Sequence, residues 1–477
     1  MHRLFPLVLT LAGCANSTIG TSPPIDRLYF PTGLVHVDVP GKTEGVLFIA
    51  NANFDKRFSG GAITALALDD QGLPPLGQTA GVKEIKALKI DPSQVVQIAS
   101  FAGEMAAQTI GTDTYRLYVP TRSEGMNVYQ VQARIGSNGV PSVSCLGGGS
   151  GQDCRETGAS LSPRQFERTD AGVPRAPSPY GVAVANRTCT VAENCCPTGD
   201  TTCQRTCVGG QCVGTDGLPF ADLWITHLTQ ADSPLLSGFR ARGYLVRLDS
   251  DNFTVNEQSF INIGSGGTNS VLVLGSWVYA TGRILNPAPN LLRIVNRDGF
   301  VATTSLESFF RVSDGRGLAL SSDSNRMFIV GRAPDTLLIA NITQTGGIPI
   351  LSFVRGIALP DAPNEVKVIA RPGRGDLVVV TCSSAGSVAM YDDDVGDLVS
   401  LVGGVGVQPY GLAVDVRGNA ARIFVSNFGD GRISVIDVPQ LDRPQGARLV
   451  AHLGEQQLCL TRGVSSPGCV ASQEVTQ

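Results

Sequence analysis

Gln408-Pro409-Tyr410-Gly411-Leu412-Ala413-Val414-Asp415 is followed, after a small polar stretch, by Arg422-Ile423-Phe424-Val425-Ser426-Asn427 and then by Gly431-Arg432-Ile433-Ser434-Val435-Ile436-Asp437. A Pro/Gly turn leads into a short apolar strand. A second turn leads into an aromatic and β-branched strand, and a third strand ends in Asp. Short runs of this kind, broken by Gly, Asp and Asn, have the period of strands, and no helical period appears.

The same unit recurs upstream. Gly317-Leu318-Ala319-Leu320, Met327-Phe328-Ile329-Val330 and Thr336-Leu337-Leu338-Ile339-Ala340 form one copy. Val366-Lys367-Val368-Ile369, Leu377 to Thr381 and Ser387 to Asp392 form another. Looser copies are marked by Pro31-Thr32-Gly33, Arg116-Leu117-Tyr118-Val119, Pro179-Tyr180-Gly181 and Ser270-Val271-Leu272, which brings the count to seven. The last three copies are spaced by about 47 residues, close to one four-stranded propeller blade. Ala447 to Leu453 supplies a fourth strand. The pattern predicts an all-β chain: a seven-bladed β-propeller of four-stranded antiparallel blades over residues 25–457. Radial repetition leaves only short sheet edges, whereas a pair of β-sandwiches would not give so regular a spacing.

Ile423-Phe424-Val425-Ser426-Asn427, Leu47-Phe48-Ile49-Ala50-Asn51 and Arg116-Leu117-Tyr118-Val119-Pro120 resemble the YVTN blade motif. The Pro-x-Gly starts at Pro179 and Pro409 resemble the same lactonase-like propeller superfamily, most closely from Gly317 to Val438. The resemblance implies the fold and leaves function open, because one superfold hosts many activities. The early copies are swollen around 71–93, 145–175 and 186–219. The last of these, rich in cysteine, is expected as a loop between the first and second strands of the third blade.

Of the 477 residues, 42% are hydrophobic and 16% charged, which supports a large core and excludes global disorder. With 37 basic against 41 acidic residues and a net charge of −4, no basic surplus exists for a phosphate backbone, so nucleic acid is not an expected partner.

The chain opens Met1-His2-Arg3, runs through Leu4-Phe5-Pro6-Leu7-Val8-Leu9-Thr10-Leu11, and reaches Ala12-Gly13-Cys14. A basic start, a short apolar run and small residues make a secretory signal over residues 1–13. Leu11-Ala12-Gly13-Cys14 resembles the bacterial lipobox, which implies lipidation of Cys14, with residues 14–24 as a tether. By the same resemblance, Ala15 implies outer-membrane sorting. The expectation is a lipid-anchored protein of the bacterial cell envelope, periplasmic or surface-facing, that partners the membrane through its N-terminal lipid.

Cys189, Cys195, Cys196, Cys203, Cys207 and Cys212 crowd a segment with almost no apolar side chains. Disulfide stapling is the natural explanation in an oxidising compartment; six cysteines admit 15 pairings, and the spacing does not choose among them. A zinc cluster fits poorly, because the segment carries no CxxC pair and no histidine. Cys145 with Cys154, and Cys459 with Cys469 in a C-terminal tail over 458–477, are short-range candidates. Cys382, after a strand-like run, is expected as a buried thiol.

Chemistry is harder to find. The four histidines (His2, His36, His227, His452) form no sequence cluster, and Asp392-Asp393-Asp394 reads as a solvated turn. No C-x-x-C-H haem site, P-loop or nucleophile elbow is present. No catalytic residue, metal ligand or cofactor is assigned. One pattern stands out. Aligning the second strands on their aromatic residue gives Tyr118-Val119-Pro120-Thr121-Arg122, Tyr279-Ala280-Thr281-Gly282-Arg283 and Phe328-Ile329-Val330-Gly331-Arg332, with His227 one position earlier in its copy. Equivalent offsets in a propeller lie at equivalent heights, so these guanidiniums are expected at one mouth of the channel, suited to carboxylate or phosphate. The leading expectation is a monomeric, non-catalytic binding platform for an envelope protein, a peptide or an anionic small molecule. A metal-dependent lactonase-like hydrolase and an adhesive surface protein are the alternatives.

Overall fold

The seven repeats fold as seven blades around a central channel. The structure, a computed structural model, describes residues 21–457 apart from 79–80, 124–126, 147–151, 156–168, 171–172, 175–177, 192–194, 197–202, 229–242, 252, 254, 256–258, 265, 284–291, 297–300 and 303–311. Cys14 and the Cys459/Cys469 pair therefore lie outside the described residues. Thr21, in the segment expected as a tether, makes an isolated bridge to Phe58.

Each blade is an antiparallel sheet of four strands. The innermost strands, in blade order, are Pro31–Val37, Ala106–Gly111, Pro179–Asn186, Gly267–Leu274, Ser313–Leu320, Pro363–Ile369 and Pro409–Arg417. The second strands are continuously apolar because both faces of a blade are covered by its neighbours. In blade 1, Leu47 packs toward Phe424 of blade 7, while the next residue, Phe48, packs toward Val119 of blade 2.

Ring closure is not covalent. The last blade gains a fifth strand when Lys83–Ile85, from the insertion in blade 1, pairs in parallel with its outer strand Arg448–Leu453. Arg422, with no exposed side-chain surface, binds Asp437 of its own blade at 2.8 and 3.0 Å and Glu44 of blade 1 at 2.6 Å. It also donates to the Pro74 carbonyl at 2.8 Å. One guanidinium thus joins the first and last blades and the insertion between them.

A second device recurs between neighbours. In blades 3, 4, 6 and 7 a hydroxyl on the second strand accepts the N–H of an inner-strand residue of its own blade. The same hydroxyl donates to a carbonyl at the start of the next blade. Thr226 accepts from Gly181 at 2.7 Å and donates to Asn269 at 2.5 Å. Thr281 links Ser270 to Arg316, Thr381 links Glu365 to Tyr410, and Ser426 links Gly411 to Thr32. The blades approach so closely here that a Cβ on Gly411 would stand 2.1 Å from the Thr32 oxygen. Thr226→Val, which leaves two buried backbone groups without that partner, is expected to cost roughly 1–3 kcal/mol, measurable by urea unfolding.

The cysteine-rich insertion lies between the first and second strands of blade 3, Pro179–Asn186 and Ala221–His227. Its pairings are Cys189–Cys207, Cys195–Cys212 and Cys196–Cys203, and Cys145 pairs with Cys154. Arg205 ties the insertion to the blade, reaching Asp249 at 2.5 Å and Asp251 at 2.9 Å with its guanidinium 3.6 Å from the Phe220 ring centre.

Candidate functional site: the arginine mouth and the channel behind it

The pairing of first and second strands fixes which residues share a level. Phe48, Tyr118, Trp224, Tyr279, Phe328, Val379 and Phe424 lie opposite Val35, Ala106, Ala183, Leu272, Ala319, Lys367 and Ala413. Two residues before each of the latter stands one level of the channel wall: Gly33, Glu104, Gly181, Ser270, Gly317, Glu365 and Gly411. Four glycines leave the lumen open at this level, and two glutamates and a serine project into it. A cavity of about 360 Å³ runs from there to His36 and Val414.

Lys367 pairs with Glu365 at 2.8 Å, and 45% of its side-chain surface is open although it lines the inside of the ring, because the lumen itself is open. Glu365 also accepts the Leu412 N–H of the next blade at 3.0 Å. Glu104, on the other side of the layer, accepts from the Ser270 hydroxyl at 3.5 Å. Burial, with the charge of Glu365 added to it, pushes the Glu104 carboxyl up to about 8, against an opposing pull from Lys367. The Lys367 ammonium is raised in turn, by Glu365 first, against burial.

Between the ordinary glutamate value of 4.5 and about 8, folded Glu104 keeps a proton that the unfolded chain has released. Stability therefore falls as pH rises through that window. The charged and titratable groups facing Glu104 are Glu365, Lys367 and Tyr410. Urea unfolding at several pH values is expected to show this slope, and Glu104→Gln to flatten it.

Above this layer Tyr180 and Tyr410, at the middle position of their Pro-x-Gly turns in blades 3 and 7, meet hydroxyl to hydroxyl. Their rings are 6.5 Å apart and nearly perpendicular. Blades 3 and 7 stand across the ring from each other, so this pair crosses the channel between the glutamates and the mouth. Burial pushes the Tyr410 phenol up, opposed by Arg122 and reinforced by Glu104, so it feels both sites.

Second strands run antiparallel to first strands, so residues just past their ends lie at the mouth where the inner strands begin. Four residues beyond the aligned position are Ala52, Arg122, Leu228, Arg283, Arg332, Ser383 and Phe428. Arg122, Arg283 and Arg332 thus share one level, and Arg316, from the start of blade 5, joins them. Burial and then Arg316 push the Arg283 guanidinium down to about 10, with Arg122 adding to it and Asp314 opposing. Burial, then Arg316, lowers Arg332 to about 10 as well, with Arg283 contributing. Burial lowers Arg122 too. Partial neutralisation comes from Asp314, 2.7 Å from Arg316 and 3.8 Å from Arg283. Arg332 donates to the Pro363 carbonyl at 2.8 Å and to Asn364 at 3.1 Å. The buried Nε atoms of Arg122, Arg283 and Arg316 have no hydrogen-bond partner among the described residues.

No protein-family model matches the chain, and no curated protein does. Among solved structures, Kuenenia stuttgartiensis hydrazine synthase superposes with a TM-score of 0.50 at 12% identity, covering 88% of this chain and 98% of that one. The periplasmic gluconolactonase PpgL of Pseudomonas aeruginosa gives 0.45 at 12% identity over 90% of this chain and 97% of that one. A functionally unknown protein from Desulfotomaculum acetoxidans gives 0.44 at 10% identity, over 86% and 95%. The likeness to the hydrazine synthase, at 12% identity, is one of fold.

The structure sets Arg122, Arg283 and Arg332 at one level, where the charge of Arg122 reaches Arg283 and that of Arg283 reaches Arg332. His227 stands one position earlier, and its side chain is buried at 1% exposure. Asp392-Asp393-Asp394 is a turn after a strand in part: Asp392 closes the strand and is buried, while Asp393 and the exposed Asp394 stand in the turn that follows. Asp392 is buried against Arg371 at 2.6 and 2.8 Å, Asp393 pairs with Arg326, and Asp394 reaches Arg374 at 3.1 Å. Arginines thus answer all three carboxylates. Cys382 is buried, and burial pushes its thiol up to about 12, which leaves it inert. His36, Asp38 and Asp415 gather at the far end of the cavity. His36 Nε2 lies 2.8 Å from the Glu44 carbonyl and one Asp415 oxygen pairs with Arg417, while the other Asp415 oxygen is buried without a hydrogen-bond partner among the described residues and Asp38 is exposed. No described helix is long and apolar enough to cross a membrane.

The residues missed in sequence are Glu104, Glu365, Lys367 and Arg316. A signal existed for one of them: Pro363-Asn364-Glu365 places a glutamate where Pro179-Tyr180-Gly181 and Pro409-Tyr410-Gly411 have glycine.

Proposed function

We propose that this chain is a cell-envelope binding protein that captures an anionic ligand at the arginine mouth of its propeller. The observation that carries the reading is the gathering of Arg122, Arg283, Arg316 and Arg332 at one half-buried rim, where burial and then the neighbouring guanidiniums push Arg283 and Arg332 down. Like charges held together against burial are an electrostatic cost in the empty protein, and a carboxylate or phosphate relieves it. Lipidation at Cys14, inferred from Leu11-Ala12-Gly13-Cys14, would hold the platform at the membrane. The test is calorimetric titration with citrate and inorganic phosphate, set against the charge-reversed rim described in the Discussion.

A second reading is a lactonase-like hydrolase, favoured by one observation. Glu104, a carboxyl that stays protonated to about 8, lies across the channel layer from the Glu365–Lys367 pair. Such a pair suits proton donation to a leaving alcohol. Lactone hydrolysis lost in Glu104→Gln, with anion binding kept, would favour it over pure binding.

A further inference from the structure

The mouth is not arginine all the way round. In blade 7 the rim position that carries Arg in blades 2, 4 and 5 is Phe428. Phe428 lies 5.4 Å from Phe30, 5.1 Å from Phe54 and 5.9 Å from Tyr410, and Phe54 lies 5.0 Å from Phe101. Blades 7, 1 and 2 thus build an aromatic wall at the same mouth. Two of its members sit on left-handed backbone, Phe30 at φ 49° and Phe101 at φ 62°, just before the innermost strands of blades 1 and 2. Several blades have a left-handed residue at this point, and Ser178, Asp314, Ala362 and Gln408 fill it elsewhere. Bulky aromatics are uncommon in that conformation.

Phe54 is the member that lacks a structural explanation. It is 48% exposed, belongs to none of the buried clusters among the described residues, and is held upright between Phe101 and Phe428 at 50° and 73° to their planes. Arg122 joins the wall to the charged arc. Its guanidinium lies 5.9 Å from the Phe101 ring and 5.6 Å from the Tyr180 ring, and its buried Nε has no partner among the described residues. An exposed ring beside an unspent guanidinium matches a ligand whose flat apolar body and anionic group are adjacent.

We propose that the mouth takes an aromatic carboxylate, with the ring against Phe54 and Phe428 and the carboxylate on Arg122. This rests on the anion-binding reading above and narrows it to a ligand class. Aromatic contact adds to what area burial alone provides, and the guanidinium supplies direction through its fork of donors.

The test is calorimetry on the soluble chain lacking residues 1–20, which precede the described fold, with 2-naphthoate, acetate, citrate and the uncharged 2-naphthalenemethanol as probes. The expected result is 2-naphthoate binding at least about tenfold more tightly than acetate, with the alcohol far weaker. Phe54→Ala, a change at a half-exposed side chain, is expected to erase that margin and leave citrate unchanged. Arg122→Gln is expected to weaken both anions. Equal affinities for 2-naphthoate and acetate, or a margin that survives Phe54→Ala, would overturn the aromatic wall while citrate binding left the anion reading standing. An alcohol that binds as well as the acid, with no citrate heat, would overturn both.

Discussion

Replacing Arg422 by methionine is expected to lower stability by about 3–5 kcal/mol, the largest single-residue effect in the molecule. The side chain is fully buried and answers Asp437, itself buried, through two hydrogen bonds. Glu44 would keep Arg417 at 2.9 Å, and Asp437 would keep the Gly77 N–H at 2.9 Å, but neither contact replaces the lost charge. The loss falls where blade 7 meets blade 1, so an unfolding intermediate with an opened ring is expected to appear. Urea unfolding followed by far-UV circular dichroism measures the cost. Adding Asp437→Asn to the variant should recover part of it, because the uncompensated carboxylate is then gone. A loss below 1 kcal/mol, or no recovery, would mean that the closure does not depend on this ion pair.

The second large effect concerns binding. Changing Arg122, Arg283 and Arg332 together to Glu is expected to weaken anion binding by at least about 100-fold, or roughly 2.7 kcal/mol. Hydrogen bonds to charged groups contribute about 1.5–3 kcal/mol each, so losing two of them reaches that figure before repulsion is counted. Folding should survive. Arg283 keeps 27% of its side chain exposed, and its guanidinium lies among like charges that push against it. A triple Gln variant is the companion: it removes the cations without crowding carboxylates against Asp314, and should lose binding while melting close to the parent.

The blades were legible because each buries both faces and restarts at a Pro/Gly turn, so an apolar run and its punctuation recur together. The rim was legible for a related reason. The aromatic residue used to align Tyr118, Tyr279 and Phe328 occupies the same register in the sheets, opposite Ala106, Leu272 and Ala319. Other features were hidden by their dependence on distant partners. Arg422 meets Glu44 across 378 residues of chain, and no local pattern announces that contact. Glu104 was hidden because blade 2 has Ala102-Gly103 where blades 1, 3, 6 and 7 have proline, so its inner strand carries no recognisable start. Phe54 belongs to a connection between strands, and Phe101 fills a left-handed position that recurs in the backbone while its residue type changes from blade to blade, so neither shows as a sequence repeat. The disulfide pairing depends on how the insertion folds back on blade 3, which spacing alone does not determine. In the aspartate triplet the turn was legible, but the burial of Asp392 was not, because Arg371, Arg374 and Arg326 approach the three carboxylates from elsewhere.

Anion binding at this mouth is tested most directly with citrate. Citrate should be titrated calorimetrically into the parent chain and into the triple Glu variant at low and physiological salt, with circular dichroism confirming that both are folded. A mouth that binds anions gives a saturable heat in the parent that weakens with salt and is absent from the variant. The same heat in both proteins, or none in the parent, would contradict anion binding at this mouth.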